Sequence, residues 1–443
     1  MVRVAQEDVL NATFSHRCHL HLSLSLSLSL SRLKEEGVPL FFVLMIAEWL
    51  FIAIRRKVRG ETCDPPSAPR YRLGESLVCI MLGSIEQLFV VFVHTATYFL
   101  DVSLYRYVYT HWRAQTIEPK EHVYLTYFGL LLGKDLCYYC AHRFLHEYHI
   151  GWFSHSVHHS GEDYNLATGL RQGITQPFIT VVFYLPLALC GFHPVAFAAH
   201  AQLNTLYMFW IHTDLVDRLP FGLEYIFNSP MAHRMHHRPP AHCNYGGMFV
   251  IWDRIFGTYK VELDRKDLYG LAKAPQTFDP LTLNTQHFAR LQKINKPFSQ
   301  WLCARRVRAK WVCDVRLLFA RIPPAGRDLR AKAARVKWDG ASKAPLSCAG
   351  AAGLFALGVS ATATAFGLLV MAPTMTRVDR AIGIIVALAL FRTVCLVCDF
   401  RPGQWRCALI SALALLPALI AIIVLQPAKA WDATAVTTNR GEL

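Results

Sequence analysis

Residues 122–159 read "HVYLTYFGLLLGKDLCYYCAHRFLHEYHIGWFSHSVHH", an apolar run that leads directly into six closely spaced histidines. The apolar part, residues 122–140, approaches the roughly 20 residues that a helix needs to cross a bilayer. The stretch therefore predicts a membrane span whose C-terminal end carries a histidine-rich segment.

The whole chain has the composition of a membrane protein. Of its 443 residues, 53% are apolar and only 17% are charged, which disfavours a set of soluble domains. Further apolar runs of nearly spanning length are found at 38–54, 77–100, twice within 176–212, and at 350–371, 381–398 and 407–426. We therefore predict an all-α fold, a multi-pass transmembrane helical bundle.

The basic residues fix an expected orientation of this bundle. Arg55, Arg56, Lys57 and Arg59 directly follow the first run, and the positive-inside rule assigns them to the cytosol. Pro186 and Gly191 mark a turn between the two runs of 176–212, so a second cluster, "HRMHH" at 233–237, returns to the same side. All histidine-rich segments are then expected at one cytosolic face.

The spacing of the histidines predicts metal binding. His142 and His146 lie four residues apart and share one helix face with His149. The pattern HxxHH occurs twice, as His155, His158 and His159 and again as His233, His236 and His237. A solvated face or a pH sensor would not need this repeated spacing, whereas several imidazoles on one helical turn can converge on a metal.

Eight imidazoles exceed the ligand set of one tetrahedral ion, so the spacing predicts two metals. Imidazole binds zinc, iron, copper and nickel alike, which leaves the metal open. His212 is either a ninth ligand or a buried histidine satisfied by hydrogen bonds. Asp135 either pairs with Lys134 or Arg143, or accepts a hydrogen bond from a ligand imidazole. We interpret His94, His193 and His200 as structural.

On these residues the chain resembles the fatty acid hydroxylase superfamily of membrane di-iron enzymes, which includes the sterol desaturases and carries HxxxH, HxxHH and a further HxxHH. The segments "DLCYYCAHRFLHE", "HHSGEDYNLATGLRQ", "LYMFWIHTD" and "NSPMAHRMHH" are most similar to its ether-lipid-cleaving branch, over about residues 38–290. Ala232 stands where that family often has another histidine, and the segment after His237 is shorter than usual.

The resemblance implies a di-iron monooxygenase with dioxygen as co-substrate and tetrahydrobiopterin as electron donor. It would hydroxylate the alkyl carbon next to the ether bond of an alkylglycerol, which yields a fatty aldehyde and glycerol. The implied location is the endoplasmic reticulum membrane with the active site facing the cytosol. The substrate would enter from the bilayer, a pterin-recycling reductase would serve the donor, and no nucleic acid partner is expected.

The implied iron ligands and catalytic residues are the motif histidines, with His212 as the ninth candidate ligand: His142, His146, His155, His158, His159, His233, His236 and His237. Glu162, Asp163 and Arg171 are candidates for contact with the pterin or with the glycerol hydroxyls, and Glu162 also joins the catalytic set. Their structural alternatives are a helix cap for the carboxylates and, for Arg171, a pair with those carboxylates.

The expected organisation has four regions: a low-complexity Leu-Ser segment at 1–36, the membrane-embedded catalytic domain at 37–290, a basic cytosolic loop at 291–345 and transmembrane helices at 346–443. The net charge of +15 is densest at 303–337, which suits anionic headgroups. Two CxxC pairs among the 13 cysteines fall in apolar runs and indicate buried thiols.

Two other functions fit the same residues. One is a sterol or fatty acyl hydroxylase or desaturase of the same superfamily, with electrons from cytochrome b5. The other is a histidine-rich metal transporter. Transporters place ionisable ligands near the middle of their spans, whereas these histidines follow the span ends.

Overall fold

The computed structural model describes residues 40–60, 71–97, 102–119, 121–239, 242–261, 269–271, 274–275, 277–294, 319–322 and 377–398. Helices dominate these ranges, which contain no β-strand beyond three isolated bridges. The prediction of an all-α fold is confirmed for this part of the chain. The Leu-Ser segment, most of the basic loop and the predicted spans at 350–371 and 407–426 lie outside the described residues.

Twelve α-helices are described, the first over 40–59. In chain order, α1 to α12 are 40–59, Leu73–Thr97, Val102–Trp112, Val123–Glu147, His149–His155, Gln176–Thr180, Leu185–Leu189, Pro194–Trp210, Pro230–His236, Ile251–Ile255, Pro280–Ile294 and Arg377–Cys398. Short 3-10 turns connect several of them, including His158–Ser160 and Leu166–Leu170.

One described helix is long and apolar enough to cross a membrane, over Leu73–Val90 of α2. The first of the two runs predicted within 176–212 is shorter than a span, because it divides into α6, a 3-10 turn over Val181–Tyr184, and α7. Pro177 and Pro186 each stand in the first turn of one of these helices, where proline is tolerated. The turn before α8 contains Gly191 at φ 93°, a conformation that favours glycine.

A hydrophobic core joins α3, α4, α7 and α8. Its rings include Tyr105 and Phe197, which stack with centroids 4.3 Å apart. The Tyr105 hydroxyl donates to the Phe192 carbonyl oxygen at 2.9 Å, so the one polar atom of this ring is satisfied. Each fully buried side chain of this kind contributes roughly 1.5–3 kcal/mol relative to an exposed one. This core fixes the helix that carries the first two predicted metal ligands.

Large apolar side chains also face outward. On α1 they include Val43, Phe51 and Ile54, and on the first half of α4 they include Tyr124 and Phe128. The thiols on α4 depart from the expectation of burial: Cys137 is partly buried and Cys140 is exposed, and neither forms a disulfide.

Candidate di-metal centre

Nine buried histidines gather at the C-terminal end of α4 in two groups. Within each group, one ligand atom per residue lies within 4.8 Å of every other. The five-histidine group contains His142, His146, His155, His159 and His236, and the four-histidine group contains His158, His212, His233 and His237. These are the nine residues that the sequence singled out as metal ligands.

Each HxxHH motif contributes to both groups. His155 and His159 lie four apart and point to the five-histidine group, whereas His158 points to the other. On α9 and its last turn, His233 and His237 share one face, and His236 faces the five-histidine group. The motif geometry therefore allows one short segment to supply two adjacent sites.

His212 reaches the four-histidine group from the turn that follows α8. Its Nε2 atom lies 3.0 Å from His233 Nε2 and 3.3 Å from His158 Nε2. His149 does not join either group, because its ring faces α11, where its Nδ1 lies 3.1 Å from His287 Nε2. His193 caps α8, in line with a structural role.

Backbone and side-chain oxygens set the tautomer of several rings. The Nδ1 atoms of His142, His158 and His236 lie 2.9, 2.8 and 2.8 Å from carbonyl oxygens of Tyr245, Arg171 and Cys243. A carbonyl oxygen only accepts, so each Nδ1 carries the hydrogen, and in the neutral ring Nε2 is left with a lone pair. A hydrogen bond of this kind is what usually orients a metal-binding imidazole.

The resulting Nε2 lone pairs point at one another. His142 Nε2 lies 3.0 Å from His155 Nε2, and His155 Nδ1 already faces Gln176 Oε1 at 2.8 Å. Neither Nε2 atom carries a hydrogen, so the contact is not a hydrogen bond. His212 and His158 meet in the same way, since His212 Nδ1 lies 2.6 Å from the Met208 carbonyl oxygen.

A cation is what such facing lone pairs require. Imidazole nitrogens bound at about 2.1 Å to one tetrahedral metal lie roughly 3.4 Å apart, close to the 3.0–3.3 Å found within both groups. Both nitrogens of His146 and the Nε2 of His236 are buried without a hydrogen-bond partner in the described part of the chain. The residues present therefore fit two metal ions.

Burial keeps the rings neutral, which metal binding requires. It lowers the pKa of His158 to about 4. Burial, followed by repulsion from neighbouring imidazoles, lowers the pKa values of His159 and His237 far below 6.5. Among the residues that the structure describes, neither group includes a carboxylate or a thiolate, so the bound metals would keep their full positive charge.

Arg171 organises the turn of the second histidine cluster. Its guanidinium is 1% exposed, donates to the Val157 carbonyl oxygen and the Ser160 hydroxyl, and pairs with Glu75 at 3.2 Å. Its own carbonyl oxygen receives the His158 Nδ1 hydrogen bond at 2.8 Å. The pairing of Arg171 with Glu162 or Asp163, one of the two roles expected from sequence, is wrong, because its partner is Glu75.

The two neighbouring carboxylates are held by Arg72. Asp163 is buried and accepts from the Arg72 backbone N–H at 3.0 Å and from its Nε at 2.9 Å. Glu162 is partly exposed and lies 3.4 Å from the Arg72 guanidinium, and burial raises its pKa. Neither carboxylate caps the next helical turn, where Asn165 has that role.

Asp135 does not accept from a ligand imidazole, so that interpretation is wrong. Its carboxylate accepts from the backbone N–H groups of Met248 and Phe249, at 2.6 and 3.2 Å, and from the Trp252 indole at 3.0 Å. It acts further from the metals, by fixing the loop whose Tyr245 carbonyl orients His142. Asp135 precedes His142 by seven residues, about two helical turns, and the loop contacts both of them.

Sequence reasoning missed Glu75, Arg72 and Asp253. Asp253 is buried and accepts from the backbone N–H groups of Tyr245 and Gly246, each at 2.7 Å. Glu75 and Arg72 precede the histidine motifs by more than 60 residues, so no local spacing connects them. The one available signal was that Glu75 stands just before the apolar run at 77–100, in the first turn of α2.

Residues 127–258, which carry all nine histidines, match the family model described as fatty acid hydroxylase. This part of the chain is therefore similar to fatty acid hydroxylase domains. The domain includes α4, both HxxHH segments and the loop fixed by Asp135 and Asp253. The histidine groups and the domain type together suit a di-metal site.

Three curated relatives are similar to this chain. Human (Homo sapiens) alkylglycerol monooxygenase is 36% identical over 256 residues, which are 57% of this chain and 53% of that protein. The alkylglycerol monooxygenase of Danio rerio is 40% identical over 214 residues, 48% of this chain and 46% of that protein. Ornithine lipid hydroxylase OlsE of Rhizobium tropici is 33% identical over 135 residues, 30% of this chain and 40% of that protein.

The chain spans about half the length of the alkylglycerol monooxygenases that it matches. No solved structure matches it.

Proposed function

We propose that this chain is a membrane di-iron monooxygenase that hydroxylates the alkyl carbon next to the ether bond of alkylglycerols. The observation that carries the proposal is the pair of adjacent, buried, all-imidazole groups in a domain related to alkylglycerol monooxygenases. One oxygen atom of dioxygen would enter the C–H bond and the other would leave as water, as tetrahydrobiopterin is oxidised to dihydrobiopterin. The hemiacetal so formed would break down to a fatty aldehyde and glycerol.

The nine histidines would hold two irons, one in each group. When bound, the irons would supply the activation of dioxygen. The chain's own contribution is to orient the imidazoles through Tyr245, Arg171 and Cys243 and to keep them neutral. Burial of all nine rings also excludes water from the reacting carbon.

We propose that the chain spans the membrane of the endoplasmic reticulum several times, with the centre facing the cytosol. The apolar length of α2 and the outward apolar side chains of α1 and α4 support a bilayer setting. A long alkyl chain would enter from the lipid side, and the ether bond would meet the metals at the end of α4. A pterin-recycling reductase would restore the donor.

Glu162 is our candidate for direct contact with the pterin or the glycerol hydroxyls. It is the most accessible of the three residues expected there from sequence, since Asp163 and Arg171 are buried and held by Arg72 and Glu75. We propose that Asp163 and Arg171 support this site by positioning. Glu162→Gln should raise the Michaelis constant for pterin or for substrate and leave the metal content at the wild-type level.

A second candidate function is hydroxylation of another membrane lipid, with cytochrome b5 as the donor. The similarity to an ornithine lipid hydroxylase supports this second candidate. A metal transporter is a weaker candidate, because the histidines lie at the end of α4 and in the segments after it, packed among protein groups.

The test is turnover by detergent-purified protein loaded with ferrous iron, supplied with an alkylglycerol, dioxygen and tetrahydrobiopterin, with fatty aldehyde as the readout. Pterin-dependent aldehyde that is absent from His158→Ala would support the proposal. No aldehyde from protein that holds two irons would overturn the ether-lipid assignment, and sterol and acyl substrates with cytochrome b5 would be tried next. Protein that binds no metal would overturn the di-iron assignment as well.

A further inference from the structure

A compact surface of exposed apolar side chains lies near the di-metal centre but takes no part in it. It comprises Phe221, Leu223, Tyr225 and Ile226 together with Ile255 and Phe256, and we call it the aromatic knob. Monomeric soluble surfaces rarely cluster large apolar groups in this way. The knob therefore calls for a partner.

The two segments of the knob are held side by side. The Val250 backbone N–H donates to the Ile226 carbonyl oxygen at 2.9 Å, next to a bridge between Phe227 and Phe249. The guanidinium of Arg254 lies 5.0 Å from the centre of the Tyr225 ring. The knob is thus a defined surface rather than two unrelated loops.

Phe221 stands at the tip in an unfavourable backbone conformation. It has φ 58°, in the left-handed region, and its side chain is 98% exposed. A bulky residue rarely adopts this conformation unless its surroundings require it. Asn244, the other described non-glycine residue with positive φ, gains hydrogen bonds to Ala232 and Lys260 in return. A ring that is 98% exposed has little packing within the protein to offset the strain.

Charged side chains of both signs surround the knob. Arg218 is well exposed and contacts the carboxylate of Glu224 at 3.7 Å, and the Glu224 side chain is only 15% exposed. Arg254 lies against the rings of Tyr225 and Tyr259. The exposed Asp217 is paired with Arg234 at 2.9 Å. Aromatic and aliphatic side chains with arginines at the rim match the headgroup region of an anionic bilayer.

We propose that the aromatic knob inserts into the headgroup and acyl boundary of an anionic bilayer, with Phe221 deepest. The inference rests on the membrane setting proposed above and adds a second, peripheral contact to it. Directly after the knob, Asn228 donates to the carbonyl oxygens of Gly246 and Gly247, beside the Tyr245 carbonyl that orients His142. An anchored knob would hold the di-metal centre at a fixed depth, level with the ether bond of a bilayer lipid.

The test uses the full-length protein in vesicles of phosphatidylcholine and phosphatidylserine that contain a bilayer-confined carbene photolabel. Labelled peptides are located by mass spectrometry. We expect label on the peptide containing 219–226 as well as on peptides of α2. Phe221→Gly, which suits positive φ and should not harm folding, should lower the label at 219–226 severalfold. Phe221→Trp should keep it, and α2 should be unaffected in both.

The second part of the experiment tests the contribution of the anionic lipid, phosphatidylserine. Replacing it with phosphatidylcholine, or making Arg218→Gln, should each reduce labelling of 219–226 with no change in α2. Label on α2 but none on 219–226 would overturn the knob proposal and leave the membrane setting intact, whereas no label on either would overturn both. A chemical cross-link that joins 219–226 to a second copy of the chain would also overturn it, because the knob would then be covered by protein rather than by lipid.

Discussion

The two histidine groups differ in what holds their rings. The five-histidine group contains the support that is furthest along the chain, since His142 is oriented by Tyr245, 103 residues away, whereas His155 and His236 contact Gln176 and Cys243, 21 and 7 residues away. The four-histidine group uses nearer partners, since His212 contacts Met208 in the preceding turn and His158 contacts Arg171, 13 residues away. Loss of tertiary packing should therefore disorder His142 of the five-histidine group first.

The largest expected effect comes from removing a ligand. His212→Ala leaves three imidazoles in the four-histidine group, whereas His146→Ala leaves four in the other. We expect His212→Ala to lose one of two metals and essentially all turnover, and His146→Ala to retain more metal, because a tetrahedral ion still has a full ligand set. Metal analysis per chain measures both. Equal metal loss in the two variants would remove the distinction between the groups.

The next effect separates the groups through their supports. Arg171→Leu removes the donors that hold Val157 and Ser160 and leaves Glu75 buried without its partner. We expect about a 10- to 100-fold loss in metal affinity or turnover, the range for groups that orient a ligand. The loss should appear mainly as one weakly held metal, with His158 as the affected ligand.

Asp253→Asn is the matched variant for the other group, because it weakens the loop that orients His142. Its weakly held metal should be the one in the five-histidine group. Sequential metal release during a chelator titration distinguishes the two variants. Arg171→Lys should recover part of the loss, since a lysine retains the charge opposite Glu75 but not the forked donors. If both variants released the same metal first, the assignment of supports would be wrong.

The sequence predicted the histidines that gather better than the residues that support them. Eight of the nine could be named because they repeat a local spacing, three or four residues on one helical turn, that a sequence displays directly. His212 has no such spacing, and the sequence left it as either a ninth ligand or a structural histidine. The division of the nine into groups of five and four could not be predicted, since it depends on how α4 and α9 cross. Arg72 and Asp163 are 91 residues apart and Arg171 and Glu75 are 96 apart, and no local pattern connects residues at such separations.

The all-α fold class could be predicted from the sequence, but the lengths and breaks of individual helices were harder to predict. Apolar runs at 77–100 and 122–140 correspond to α2 and α4, because a mainly apolar stretch of that length without proline has few alternatives to a helix. The run that begins at 176 is divided instead, since Pro177 and Pro186 each start a new short helix. Hydropathy alone averages over such breaks, which is why it predicted a longer helix for the first of the two runs within 176–212.

A smaller, graded effect is expected from acid. The pKa of His158 in the folded chain, about 4, lies below the value near 6.5 of an unfolded histidine. Between these values the unfolded chain binds more protons, so stability falls as pH falls below about 6.5 and is fully present above it. The thermal midpoint of metal-free protein should therefore drop from about pH 7 to about pH 5. A midpoint that rises with acid would contradict neutral, buried imidazoles.

The smallest expected effect is on the helix that serves both groups. Ser229 caps α9 by accepting from the Ala232 backbone N–H at 3.2 Å, and loss of such a cap costs about 1 kcal/mol. Because α9 and its last turn supply His236 to one group and His233 and His237 to the other, Ser229→Ala should weaken both metals equally. Chelator titration should then give two losses of similar size, unlike the selective losses in the Arg171 and Asp253 variants. Thr285→Ala removes an exposed hydroxyl that donates to the Leu281 carbonyl oxygen within α11, so it is the matched control and should change neither. A selective loss in Ser229→Ala would mean that α9 does not move as one unit, and the contrast between the groups would then lie within this helix rather than in their supports.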